Sequence, residues 1–289
     1  MKPVFTKIQE EAQMGVFAMR EIDLPYFSTE FHFHKECQLV YVVESEGRRI
    51  IGDNVENFNS DELILLGPDI PHVWHNDNQY FDRNSYKHAK SVALFIQPEK
   101  LVSALSQFGL GRQAQNLLKK SARGMKFSGQ AKKSLKDLLM QMTGQSPFSQ
   151  LISFMRVLEI LTRTREYELL ASEGYVNTYQ MKDNDRIDRV FKHVFENFKT
   201  DMQLEEVARM VNMNKQAFCR YFKGRTQKTF VQFVNEVRIG HACKLLAEGD
   251  LAISGLAYEC GFNSLSNFNR FFREIKHMTP REYIRSLPD

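Results

Sequence analysis

The apolar positions of this chain change their period partway along. From Phe31 to about Ile96 they come in short runs: Leu39-Val40-Tyr41-Val42-Val43, Arg49-Ile50-Ile51, Leu63-Ile64-Leu65-Leu66 and Ser91-Val92-Ala93-Leu94-Phe95-Ile96. These runs are rich in β-branched residues and separated by Glu46-Gly47, Gly52-Asp53-Asn54 and Gly67-Pro68-Asp69, which predicts the strands of a small β-barrel or jelly roll. After Pro98 the spacing becomes three and four, as in Leu135, Leu138, Leu139, Met142 and in Leu151, Phe154, Met155, Leu158, Leu161, which predicts helices over roughly 99–170. The second stripe suits either a helix packed on the barrel or a dimer seam, since both bury one apolar face. Residues 172–185 have no strong periodicity and read as a linker. Helical spacing resumes at Arg186. The predicted fold class is therefore α+β and multidomain: a barrel over 1–98, a helical dimerisation or packing segment over 99–171, the linker, and an all-α domain over 186–289.

The last segment contains a degenerate internal repeat. Leu204, Val207, Ala208, Val211 and Met213 recur as Ile253, Leu256, Ala257, Cys260 and Phe262, and Phe218, Arg220, Phe222, Lys223 and Thr229 recur as Phe268, Arg270, Phe272, Arg273 and Thr279. In each copy a short amphipathic helix, 204–211 or 253–260, precedes a turn, and a second helix starts at Asn214 or Ser264. A short turn in which Gly261 takes positive φ and Ser264 caps the next helix is how a helix-turn-helix is built. Phenylalanines four apart, Phe218 with Phe222 and Phe268 with Phe272, pin one face of each second helix to the core. The opposite face carries Lys215, Gln216, Cys219, Arg220 and Lys223 in the first copy and Ser266, Asn269, Arg270 and Arg273 in the second. Such residues reach base edges and phosphates in a major groove. Between the copies, Phe230, Phe233, Val234, Val237, Ala242, Leu245 and Leu246 predict one long helix ending at Gly249. About 20 residues at ~1.5 Å each span roughly 30 Å, close to the ~34 Å between successive major-groove faces of DNA.

Composition narrows the alternatives. With 43% hydrophobic and 26% charged residues over 289 positions, the chain is neither disordered nor fibrous. No apolar run approaches the ~20 residues of a membrane span, and Met1-Lys2-Pro3 lacks the apolar core of a secretory signal, so a cytoplasmic location and no membrane partner are expected. Cys37, Cys219, Cys243 and Cys260 form no C-x-x-C pair and are expected to be buried free thiols. The net charge is +4, and residues 1–174 balance 21 Lys+Arg against 21 Asp+Glu, so the whole excess lies in residues 175–289. That segment is the candidate for an anionic partner.

Two resemblances attach to these residues. Ala257-Tyr258-Glu259-Cys260-Gly261-Phe262-Asn263-Ser264-Leu265-Ser266-Asn267-Phe268-Asn269-Arg270-Phe271-Phe272-Arg273, followed by Met278-Thr279-Pro280-Arg281-Glu282-Tyr283-Ile284-Arg285, closely resembles the carboxy-terminal signature of the AraC/XylS family of bacterial transcription regulators. The match covers roughly 186–287. It implies that Gln216, Cys219 and Arg220 face duplex DNA in the first unit and Ser266, Asn269 and Arg270 in the second, with Lys215, Lys223 and Arg273 nearer phosphates. It also implies effector sensing by the amino-terminal part and activation rather than repression, with RNA polymerase as a further candidate partner, while the stripe Leu151, Phe154, Met155, Leu158, Leu161 is expected to contribute to a homodimer. The sequence departs from the family at Gln227 and His277, where a turn glycine is usual, and at Ala252 with Gly255, which replace what is often a Ser-x-x-Glu capping box.

Phe31-His32-Phe33-His34, then Ser60-Asp61-Glu62-Leu63-Ile64-Leu65-Leu66-Gly67-Pro68-Asp69-Ile70-Pro71-His72, resembles the two half-motifs of the cupin barrel over about 25–96. Alternation puts His32 and His34 on one strand face, and His72 could complete a three-histidine metal site. Metal-binding cupins usually add a carboxylate four positions after the second histidine. Here that residue is Gln38, with Glu36 as a fallback ligand. The expected site is therefore an effector pocket for a small organic molecule, lined by His32, His34, Gln38, His72 and Trp74, with no metal and no cofactor. The rival from another class is a cupin metalloenzyme with an appended helical domain, and Gln38 speaks against it, so no enzymatic activity is expected. A ligand-independent DNA-binding dimer is the third reading.

Overall fold

The computed structural model describes residues 15–27, 30–82, 84–173, 175, 184–249 and 253–287. Most of the 172–185 linker, and Ala252 of the substituted capping box, lie outside the described residues. The chain divides into two compact units, one mainly of residues 3–177 and one mainly of 178–289.

The first unit contains β1 (Phe17–Leu24), β2 (Cys37–Glu44), β3 (Gly47–Ile51), β4 (Asn54–Phe58), β5 (Leu63–Leu66), β6 (His72–Asn76) and β7 (Ala89–Ile96). These are followed by α1 (Pro98–Ser106), α2 (Gly111–Ser121), β8 (Met125–Phe127), α3 (Gly129–Met142), α4 (Pro147–Arg163) and β9 (Tyr167–Leu169). The strands form one sheet in the order β1-β7-β2-β5-β8-β9 and another in the order β4-β3-β6. In the larger sheet Leu39 lies opposite Leu65 and Leu94, and Val40 lies opposite Ile64 and Ala93. Successive residues point to opposite faces. The Leu39 face packs on Leu101, Leu117, Leu135, Leu139, Phe154 and Leu158 of the helices, and the Val40 face packs on Ile51, Phe58 and Trp74 of the smaller sheet. Burial on both faces is why β2, β5 and β7 read as unbroken apolar runs.

This architecture corrects two expectations. Among the described residues the strands do not close into a barrel: β1 and β9 end the larger sheet, and the smaller sheet packs face to face against it. A sheet covered by helices on one side and strands on the other has no bare face left for closure to bury. The segment 99–171 is also not purely helical, since β8 and β9 extend the larger sheet. The apolar stripe of α4 is split as well. Phe154, Leu158 and Leu161 are buried in the core beneath the sheet, whereas Leu151 and Met155 are exposed together with Phe148 and Ile152.

Among the described residues from Asn184 onward the regular elements are all helices: α5 (Asn184–Asn197), α6 (Leu204–Met210), α7 (Lys215–Thr226), α8 (Phe230–Glu248), α9 (Ile253–Glu259), α10 (Leu265–Lys276) and α11 (Pro280–Ser286). Thr229 and Thr279 open α8 and α11 with capping boxes, closed by Gln232 and Glu282, which explains the sharp turns before them. The first half of α8 packs on the first helix pair, with Phe230 against Phe218 and Phe222 and Phe233 against Phe191 and Phe222. Its second half, through Ile239, Ala242, Cys243 and Leu246, joins the cluster of Leu256, Cys260, Phe268 and Phe272. Among the described residues no helix is long and apolar enough to cross a membrane. Three cysteines are buried as expected, but Cys219 is exposed.

Candidate functional site

In the first unit, the segment before β2 runs beside β6. His32 and His72 form an isolated antiparallel bridge in which each amide donates to the other's carbonyl, at 3.0 and 2.8 Å. A second tie, from the Asp69 amide to the His34 carbonyl at 2.8 Å, holds the segment in place. Paired residues, and residues two apart on one strand, share a face. The three imidazoles accordingly converge, with ring centroids 4.3 Å apart for His32 and His72 and 5.1 Å for His34 and His72. One ring nitrogen from each lies within 4.8 Å of those of the other two.

Backbone carbonyls accept from all three Nδ1 atoms: Glu30 from His32 at 2.8 Å, Glu36 from His34 at 2.9 Å and Ile70 from His72 at 2.8 Å. A carbonyl can only accept, so Nδ1 carries the proton in each neutral ring and Nε2 keeps its lone pair. Burial, with His32 nearby, pushes the His34 imidazole down to about 4. Burial likewise lowers His32, and lowers His72 well below the ordinary histidine value. The rings are neutral at physiological pH.

His34 Nε2 lies 3.2 Å from Gln38 Oε1, and His72 packs edge-on to Trp74 at 5.6 Å between ring centroids. His72 Nε2 and Trp74 Nε1 are buried without a hydrogen-bond partner. All five residues singled out from the sequence line one cavity of about 550 Å³, which Phe27 and Phe95 also line. That volume falls in the ordinary range for small-molecule sites, roughly 300–1,000 Å³. The sequence reading missed Phe95, although alternation with Ala93 on β7 puts it on the same face. Glu36 does not belong to the converging set. Its carboxylate lies 3.6 Å from His34 Nδ1, behind the ring, and accepts from Gln97 at 3.2 Å.

In the second unit, α6 and α7 and then α9 and α10 form two equivalent helix pairs. The turn after α6 passes through Asn212 at φ 57°, and the turn after α9 through Gly261 at φ 83°. Asn214 caps α7 by accepting from the Ala217 amide at 2.8 Å, and Ser264 caps α10 by accepting from the Asn267 amide at 3.3 Å. Phe218, Phe222, Phe268 and Phe272 are fully buried. Lys215, Gln216, Cys219, Arg220 and Lys223 on α7, and Ser266, Asn269, Arg270 and Arg273 on α10, are all exposed. Two of these side chains are already engaged: Lys215 pairs with Glu205 at 2.6 Å, and the Arg270 guanidinium stacks 4.1 Å from the Phe271 ring centroid.

Residues 207–286 match the sequence family described as "Helix-turn-helix domain". The carboxy-terminal unit is an AraC-type helix-turn-helix domain. It is similar to the corresponding part of an uncharacterized HTH-type transcriptional regulator of Staphylococcus aureus, 28% identical over 114 residues, which make up 39% of this chain and 15% of that one. An uncharacterized HTH-type transcriptional regulator of Bacillus subtilis, YdeC, is 26% identical over 142 residues, 47% of this chain and 49% of that one. The chain thus spans half or less of the length of these curated relatives. ToxT from Vibrio cholerae superposes over 95% of this chain and all of its own, at 13% identity and a TM-score of 0.37.

Beside α10 the AraC-type domain has an open cleft lined by Asn269, Arg270, Arg273, Arg281 and Thr279. Arg281 thereby joins two arginines already singled out from the sequence. Its place at the start of α11, just after the Thr279 cap, was the available signal.

Proposed function

We propose that this protein is a ligand-responsive, sequence-specific DNA-binding transcription regulator, with α7 and α10 as its two reading helices. The observation that carries this reading is the doubled arrangement of one helix pair, in which buried phenylalanines fix each second helix while the basic and amide residues opposite remain exposed. Arginine and glutamine or asparagine on such a face suit guanine and adenine edges, and lysine suits phosphates. The first unit supplies the sensing cavity around His32, His34, Gln38, His72 and Trp74. An effector held there acts by binding one conformation more tightly than another. The exposed apolar strip of α4, Phe148, Leu151, Ile152 and Met155, is the proposed homodimer seam. Activation, with RNA polymerase as the contact, is the mode that the family resemblance implies.

The test is selection of duplexes from a random pool by the full chain, followed by affinity measurements over a range of salt. A regulator of this kind enriches a site with two contacted segments about one DNA turn apart, and its affinity falls with rising salt as phosphate counterions are released. Recovery of no common sequence would remove the specific-recognition reading.

A further inference from the structure

We infer that His32, His34 and His72 form a binding site for a divalent transition-metal cation such as zinc or nickel. The inference deepens the sensing role proposed above by assigning a chemical class to what the cavity holds. It reverses the sequence expectation of a pocket without metal.

The donor set carries the argument. Each of the three rings gives its Nδ1 proton to a backbone carbonyl, of Glu30, Glu36 or Ile70, at 2.8–2.9 Å. This fixes one tautomer three times over and leaves three Nε2 lone pairs as the acceptors. A hydrogen-bonded histidine core would match those lone pairs with donors, yet His72 Nε2 is buried with none. Gln38 meets His34 Nε2 at 3.2 Å with its amide oxygen, so in this tautomer two acceptors face each other with no proton between them, and both have lone pairs to offer a cation. A ring fixed through Nδ1–H to a carbonyl, with Nε2 free to ligate, is the usual arrangement of a metal-binding histidine.

Spacing and charge are consistent with this. Nitrogens ~2.0–2.1 Å from a tetrahedral zinc stand about 3.4 Å apart, and one ring nitrogen of each histidine lies within 4.8 Å of the other two, so a bound ion draws them together by about 1.4 Å at most. Imidazole nitrogen favours zinc, copper, nickel and iron over magnesium or calcium, which prefer oxygen cages. Glu36, buried behind His34 at 3.6 Å, supplies nearby negative charge. Three neutral rings and a neutral amide make a weaker site than one with a direct carboxylate, so the ion is held reversibly. The cavity of about 550 Å³ leaves room beside the ion for an oxygen-bearing small molecule.

The experiment uses the full chain, treated with chelator, dialysed and titrated with Zn²⁺ and Ni²⁺ in a calorimeter, with Co²⁺ as an absorption probe and no DNA present. The expected result is one saturable site per chain and a visible Co²⁺ spectrum characteristic of nitrogen ligation. His72→Gln and His34→Gln should weaken binding on the order of a hundredfold, since even partners behind the ligands contribute ~10–100-fold. Gln38→Glu should tighten it by about tenfold or more, because a carboxylate in contact adds charge. Circular dichroism of each variant checks folding. A folded wild-type chain that takes up no ion, or folded histidine variants that bind as well as wild type, would overturn the assignment. Because DNA binding is measured separately, failure of the metal site leaves the regulator reading intact, and the converse also holds.

Discussion

Gln227 and His277, fifty residues apart, close α7 and α10 in the same left-handed conformation, at φ 58° and 57°. Both side chains are exposed, and both amides still complete a helical turn by donating to Lys223 and Arg273 carbonyls at 2.9 Å. An L residue in this region is strained by roughly 1–2 kcal/mol where glycine is not. Gln227→Gly and His277→Gly should each therefore stabilise the protein by about 1 kcal/mol, read as a raised denaturation midpoint. Gly261→Ala should do the opposite, since its added Cβ would lie 2.7 Å from the Lys199 carbonyl oxygen at φ +83°. Destabilisation by either glycine variant would show that the left-handed caps carry no strain.

Arg220 and Arg270 hold equivalent outward positions on the two second helices. If each binds a guanine through both ends of its guanidinium, Arg220→Ala and Arg270→Ala should each cost about 1–3 kcal/mol of specific DNA affinity. The lost preference should map to two positions about one DNA turn apart in footprints of the variants. Loss at the same base pairs in both would refute a two-groove arrangement.

The split stripe of α4 separates packing from association. Leu158 is buried, so Leu158→Glu should unfold the first unit, because losing a buried leucine alone costs ~2–5 kcal/mol and a buried charge adds to that. Ile152, half exposed on the same helix, is expected to accept glutamate without loss of fold. Sedimentation should show a dimer for the wild type and a folded monomer for Ile152→Glu. An unchanged dimer would place the seam elsewhere.

The cysteines provide a chemical footprint. Burial pushes the Cys37 thiol up to about 12 and raises Cys243, which keeps both protonated and out of reach. Cys219 alone is exposed, on the outward face of α7. One thiol per folded chain should react rapidly with an alkylating reagent, and a selected duplex should protect it. Equal rates with and without saturating duplex would mean that this face of α7 does not lie against DNA.

The sequence was most informative where one residue type recurs at a fixed interval. Phe218 with Phe222 and Phe268 with Phe272 fixed both the buried and the outward face of each second helix, because spacing by four determines which residues share a face. Alternation likewise placed His32 beside His34. β1 escaped because Arg20, Glu21 and Asp23 belong to an edge strand with little to bury, and β8, at three residues, is too short to show a period. A stripe such as Leu151 to Leu161 says which face is apolar but not what covers it. Nor can sequence show the tautomers of the histidines, since these depend on where the fold brings the carbonyls of Glu30, Glu36 and Ile70.

The shared helix α8 has a mechanical consequence. Since one end is built into the first aromatic core and the other into the second, neither helix pair can turn without the other. Adding or deleting a residue within α8 would swing one pair about 100° around the axis relative to its twin and shift it ~1.5 Å along it. Two contact segments face the same side of a duplex only when their separation is close to a whole number of turns. A protein built on such a spacer measures the helical phase of its target as well as its bases, and a half-turn insertion between the two segments should be as damaging as altering either one.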